Sequence, residues 1–240
     1  MLKTNITYLI EKEAFSHSYQ YIYQVDGLQE VGAEFLFRAY DENPETIFYQ
    51  AKEDQLLFDL DTKSIYKALS SYLLCGQSLK INQLFFNIYP STILHNRFPC
   101  FIESILKYCK SSPNSIVLEI IESEKCDNFI LLKERVSYLK EQGFQVAIDD
   151  VGKGWSSLSM IIELEPDYIK LDRYFSEDLS QSPQKQKMIK MLLNYFSNTK
   201  TKVILEGIEK NKDLNTANML GIQLCQGYLL NRPQPLIPIK

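Results

Sequence analysis

Acidic and amide side chains stand at or near the ends of apolar runs all along this sequence. They are Glu34 in GAEFLFR, Asn87 in LFFNIYP, Glu119 in IVLEIIE, Asp149 and Asp150 in VAIDDVGKG, Glu206 in VILEGIE and Gln226 in LCQGYLL, with Lys170 and Asp172 in YIKLDR. A plain core excludes such groups, and carboxylates gathered in one apolar neighbourhood cannot all stay ionised unless protons or cations neutralise them. A metal cluster would do so. Oxygen ligands from Asp, Glu and Asn, with neither His17 nor His95 among them, suit hard cations such as Mg2+ or Mn2+ rather than zinc. The adjacent Asp149 and Asp150 could contribute to two ions, the arrangement used for in-line displacement at phosphorus, and Lys170 adds a fixed positive charge. Any one of these residues has an ordinary reading as an ion pair, a cap or a surface group; their joint placement is what points to a site. His17 and His95 read as satisfied or surface residues, and Gly152-x-Gly154 as a common loop rather than a dinucleotide fingerprint.

The elements that must carry these groups alternate between short β-rich runs and longer stretches of helical period, the pattern of a parallel α/β protein. Eight strands are expected, at about 19–25, 30–37, 83–88, 115–121, 144–148, 168–171, 202–205 and 223–230. Only an Asp26-Gly27 turn separates the first two, which predicts a hairpin and one strand antiparallel to the rest. Phe129, Leu132, Val136 and Leu139 share a helical face that stops at Gly143, and 55–74 and 184–197 look similarly amphipathic. The second of these carries Met188, Met191, Leu192, Tyr195 and Phe196, all expected in the core, and 213–220 ends against Gly221. In a (β/α)8 barrel, side chains at the strand ends converge on one mouth.

The chain of 240 residues suits one such barrel, so a single domain over 1–240 is expected, its core at about 15–233 and RPQPLIPIK an irregular tail. A formal charge of −4 speaks against broad binding to DNA or RNA. No run is long and apolar enough for a membrane span or a signal peptide, so a cytoplasmic protein without membrane attachment is expected. Five cysteines without a CxxC pair read as buried free thiols.

In order along the chain these motifs resemble those of the EAL domain, the family of cyclic di-GMP phosphodiesterases, from Gln20 to Pro233. The signature triplet is Glu34-Phe35-Leu36 with Arg38 following, and Gln20 stands where the family's YQPI motif has its glutamine. Asn87, Glu119-x-x-Glu122, DDVGKGWSSL, Lys170-Leu171-Asp172, Glu206-Gly207-Ile208-Glu209 and Gln226-Gly227-Tyr228 complete the series. The resemblance implies a modified TIM-type barrel with one antiparallel strand, and a homodimer. It implies that Glu34, Asn87, Glu119 and Asp149 hold one metal, and that Asp149, Asp150 and Glu206 serve a second, with Asp172 supporting. Lys170 would stand near the attacking water, Gln226 near the phosphate, Gln20 and Arg38 against the substrate, and Glu122 would anchor the loop after Asp150. The implied reaction is hydrolysis of one phosphodiester of cyclic di-GMP by metal-bound water, with Glu206 as base, giving linear pGpG.

Departures from the pattern are Tyr21 after Gln20, Phe35 in the signature, Ile121 between the paired glutamates, and Val151, Lys153 and Trp155 after the two aspartates. The last three motivate an alternative, a receptor for cyclic di-GMP or a protein-binding module with weak or no turnover. A third reading, proton abstraction at a similar barrel mouth, fits acids plus a lysine, but such enzymes commonly carry a capping domain.

Overall fold

In a computed structural model, residues 5–39, 42–75, 81–109, 113–122, 124, 126–152 and 157–237 are described. The first helix, α1 (Ile6–Lys12), leads into the hairpin β1 (Ser16–Gln24) and β2 (Glu30–Arg38), which pair antiparallel from Ser16 with Arg38 to Tyr23 with Glu30. After α2 (Pro44–Glu53) and α3 (Leu57–Leu74), parallel strands follow, separated by helices: β3 (Leu84–Ile88), β4 (Ile116–Ile120), β5 (Gln145–Val151), β6 (Tyr168–Leu171), β7 (Lys202–Leu205) and β8 (Leu224–Cys225). β8 pairs antiparallel with β1, so β1 closes the sheet into an eight-stranded barrel as its one reversed strand.

Intervening helices are α4 (Pro90–Leu94), α5 (Phe98–Cys109), α6 (Phe129–Glu141), α7 (Ser157–Leu164), α8 (Arg173–Ser176), α9 (Pro183–Phe196) and α10 (Asn211–Leu220). Several boundaries have a local cause. Asn128 caps α6 by accepting from the Leu131 N–H at 3.1 Å, Ser182 and Pro183 open α9, and Gly221 closes α10 at φ +92°.

Two apolar layers hold the barrel. Ile22, Phe85, Val117, Ala147, Tyr168, Ile204 and Leu224 fill its interior below the mouth. Outward-facing strand residues such as Ala33, Phe35, Phe86 and Leu118 pack on the helices. Period-two alternation along β2 therefore turns Phe35 to the helix side, where it stacks on Phe86 at 5.0 Å, while Glu34 faces the interior. The unusual aromatic in the signature is a packing residue.

Four expectations need correction. The last barrel strand is Leu224–Cys225, not 223–230, because Gly227 lies against the Ile208 backbone and a turn follows in which Leu230 and Asn231 donate to the Gly227 carbonyl. The Pro-rich end is not simply a tail: β9 (Gln234–Pro235) pairs with Ser18 and Tyr19 of β1 as an edge strand, where proline is tolerated. On α9 only Ile189, Leu192 and Phe196 are buried, whereas Met188, Met191 and Tyr195 are 44%, 56% and 55% exposed. Among the cysteines, Cys75 and Cys225 are buried but Cys100 is exposed. His17 is buried and 2.9 Å from the Ser64 hydroxyl, the ordinary satisfied residue expected, and burial holds its pKa at about 3.

Candidate active site at the barrel mouth

The C-terminal ends of the parallel strands bring the acids together. Asn87 on β3 registers with Glu119 on β4, and Glu119 with Ala147 on β5, two residues before Asp149. On a regular strand Asp149 and Asp150 would point to opposite faces. The pairing of β5 with β6 slips between Ile148 and Val151, and Asp150 takes φ +53°, so both carboxylates reach the same side. Carboxylate oxygens of Asp149, Asp150 and Glu206 lie within 4.8 Å of one another. Next along the chain Gly152 sits at φ +101°, where a Cβ would meet the Phe175 ring at 2.3 Å.

Lys170 is the centre of the arrangement. Its ammonium is 1% exposed and lies 2.9 Å from Glu206 Oε1, 3.0 Å from Glu119 Oε1 and Asp149 Oδ1, and 3.2 Å from Glu34 Oε2. Glu34 is further held by Asn87 Nδ2, donating to Oε1 at 3.1 Å, and by Gln226 Nε2, donating to Oε2 at 3.0 Å. The same Gln226 amide donates to Gln20 Oε1 at 3.1 Å, and Gln20 donates in turn to the Asn231 carbonyl at 2.9 Å. Arg38 is half-buried, four residues along β2 from Glu34, and donates to the Phe37 carbonyl at 2.7 Å.

Four carboxylates thus face one ammonium, and the titration behaviour follows from that imbalance. Burial alone would push the Lys170 pKa down, but Asp149, Glu119, Glu206 and Glu34 hold it well above the ordinary lysine value. Burial raises Glu119, Asp149 and Glu206, the last to about 8, against the opposing pull of Lys170. Glu34 goes the other way despite burial, because Lys170, Gln226 and Asn87 favour its ionised form. Beyond the Lys170 ammonium, no group among the described residues donates to Glu119 or to Asp149 Oδ1. Buried acceptors left in that state suit a cation, and oxygen-only donors suit a hard one.

The mouth opens into a cavity of about 370 Å3 lined by Gln20, Glu34, Asp150, Lys170, Glu206 and Gln226, among others. A larger cavity of about 720 Å3 lies at the opposite end, by Tyr168 and Lys202 at the starts of β6 and β7, and holds none of these acids. Chemistry therefore favours the smaller one. Asp172 lines it too, but its Oδ1 also accepts from the Tyr174 N–H at 2.8 Å, capping α8. Glu122 is buried after β4; the loop it was expected to anchor, with Lys153 and Trp155, lies outside the described residues. Val151 is buried in the main core.

Two contributors were not found from sequence. Asn231, beyond the last strand, fixes the Gln20 amide through its carbonyl and the Tyr21 N–H through its Oδ1 at 3.1 Å, and Arg173 lines the mouth at the start of α8. A polar residue directly after the final apolar run was the available signal for Asn231; Arg173 had none.

Known proteins resemble this chain in sequence and in structure. The cyclic di-GMP phosphodiesterase PdeF of Escherichia coli is 24% identical over 234 residues, covering 94% of this chain and 31% of that protein. Cyclic di-GMP phosphodiesterase PdeA of Borreliella burgdorferi is 27% identical over 232 residues, 95% of this chain and 35% of the relative. The chain thus spans about a third of the length of these relatives. A manganese and cyclic di-GMP complex of Klebsiella pneumoniae BlrP1 superposes with a TM-score of 0.83 at 25% identity, over 93% of this chain and 57% of the other. The EAL domain family model matches residues 3–233, and with a closed barrel that gathers the family's acidic motifs at one mouth, this chain belongs to the EAL domain family.

Proposed function

We propose that the chain is a metal-dependent phosphodiesterase that hydrolyses cyclic di-GMP to linear pGpG. The observation that carries this is the Lys170 ammonium within 3.2 Å of four carboxylates, beside the close group of Asp149, Asp150 and Glu206. Glu34, Asn87, Glu119 and Asp149 would hold one divalent ion, and Asp149, Asp150 and Glu206 a second, with Asp172 in support. Two such ions, Mg2+ or Mn2+, would balance the surplus negative charge, polarise a phosphodiester oxygen and make water a better nucleophile.

The chain's own groups then divide the remaining work. Glu206, which burial raises to about 8 without metal, would be ionised by a bound divalent ion and would then take a proton from the attacking water. Lys170, whose neighbouring carboxylates hold its pKa well above the ordinary lysine value, would orient that water and offer a hydrogen bond where negative charge develops. Gln226 and Gln20, whose amides are engaged with Glu34, each other and the Asn231 carbonyl, would exchange those bonds for contacts to the phosphate and the substrate, and Arg38 would offer its guanidinium at the cavity's edge. The substrate binds across the mouth, and a homodimer is part of the proposal.

A receptor or protein-binding module without turnover is the second reading, and it rests on the changed residues Val151, Lys153 and Trp155. One experiment separates the two. Purified protein is incubated with cyclic di-GMP and Mg2+, Mn2+ or Ca2+, and products are resolved by chromatography for wild type, Glu34→Ala and Lys170→Ala. Formation of pGpG by wild type and its loss in both variants support the phosphodiesterase. A folded wild type that binds the nucleotide and releases no pGpG supports the receptor.

A further inference from the structure

Charge is segregated along the chain in a way the barrel mouth does not use. Between Asp178 and Glu206 there is no acidic residue and there are five lysines, Lys185, Lys187, Lys190, Lys200 and Lys202. The whole chain has 26 basic and 30 acidic residues, so the rest of it, with 21 and 30, carries −9. The basic segment is α9 and its continuation into β7.

On α9 the exposed surface flanking the core stripe is not simply polar. Ile189, Leu192 and Phe196 are buried against the barrel, yet Met188, Met191 and Tyr195 project outward, 44%, 56% and 55% exposed. Spacings of three and four residues put these three on one stripe, and 100° per residue puts Lys187 and then Lys190 on the adjoining arc, both exposed. Lys200 is exposed just beyond the helix. Of the acids near the start of α9, Asp178 accepts from Lys210 at 2.8 Å and buried Asp213 accepts from the Ser180 N–H at 2.8 Å, and Glu177 is exposed. Lys185 is engaged as well, donating to the Glu177 carbonyl and lying 4.3 Å from the Tyr174 ring centre.

We propose that this face of α9 docks the molecule on an anionic lipid bilayer surface. Unbranched methionines and an amphipathic tyrosine can enter the headgroup boundary to side-chain depth, while neighbouring lysines meet lipid phosphates. The strongly acidic remainder would orient the molecule with this face toward the membrane. A second copy is the poorer occupant, since α9 against α9 would set Lys187 and Lys190 beside their equivalents. A convex helix also offers no groove for a peptide. Among the described residues no helix is long and apolar enough to cross a membrane, and surface docking requires none.

The test is sedimentation of the full chain with vesicles of phosphatidylcholine alone or with one-third phosphatidylglycerol, at low and high salt. Wild type is expected on the anionic vesicles only, released by salt. Each lysine near such a surface is worth about fivefold in partitioning, so Lys187→Glu with Lys190→Glu should lower it by at least about 25-fold. Met191→Ser with Tyr195→Ser should lower it several-fold at unchanged charge, and all variants should keep the wild-type circular dichroism and melting temperature. Binding to neither vesicle, equal binding to both, or retention by the charge-reversed variant overturns the proposal. So does a dimer in sedimentation velocity that Met191→Ser dissociates, which would make this face an interface between copies.

Discussion

Lys170 and Glu206 have opposite protonation problems, and their solutions are mutual. Four carboxylates keep the lysine charged, and the lysine alone cannot keep all four ionised. Replacing Glu206 by Gln removes the candidate base with little change in shape. Turnover should fall by about 10²- to 10⁴-fold or more, and because Glu206 is also a proposed ligand of the second ion the metal concentration required should rise, as read by product chromatography across metal titrations. Lys170→Met leaves the buried acids facing one another, so it should abolish turnover and also lower stability, by about 3 kcal/mol in urea unfolding of metal-free protein. The candidate groups were legible at this scale because a carboxylate inside an apolar run has few reasons to be there. What the sequence hid was second-order: Asn231 acts through Gln20 and across the whole chain, and Asp172 spends one oxygen on capping α8.

At the scale of elements, two backbone irregularities place the site. The slip in β5 with Asp150 at φ +53° aims two neighbouring aspartates into one space, and the early end of β8 lets Gln226 turn toward Glu34. Gly227 makes that second turn possible, since a Cβ there would stand 2.2 Å from the Ile208 carbonyl oxygen and 2.3 Å from its nitrogen. Backbone cannot give way as a side chain can. Gly227→Ala should therefore cost about 3 kcal/mol or more, measured as a lowered urea midpoint, and should also weaken substrate binding through Gln226. Strand positions were legible because β-branched and aromatic runs alternate with helical periods, while strand ends were not, because a glycine contact from a distant loop decides them. On α9 the periodicity misled: the helix is apolar on two faces, and only the barrel selects which of them is covered.

For the whole molecule, the excess of acid over base at the mouth couples stability to pH and to metal. Glu206 has a pKa near 8, above its ordinary value of 4.5, so its contribution is complete at low pH and is lost as pH rises toward 8. Glu119 and Asp149 shift in the same direction, while the lowered Glu34 acts oppositely and only in acid. Metal-free protein should then lose on the order of 2 kcal/mol between pH 5 and pH 8, less than the ~1.4 kcal/mol per pKa unit would give for uncoupled groups. Saturating Mg2+ or Mn2+ should flatten that slope and raise the melting temperature at pH 8; a metal at 100 times its dissociation constant adds about 2.7 kcal/mol. Calorimetry across pH, with chelator or with metal, reads both effects.

Attack of water on a cyclic dinucleotide phosphorus at this mouth is most directly tested by hydrolysis of cyclic di-GMP in oxygen-18 water with product analysis by mass spectrometry. The expected product is pGpG carrying one heavy oxygen on its terminal phosphate, formed only with a divalent metal and absent in Glu206→Gln. Intact cyclic di-GMP recovered from folded, metal-loaded wild type would contradict it.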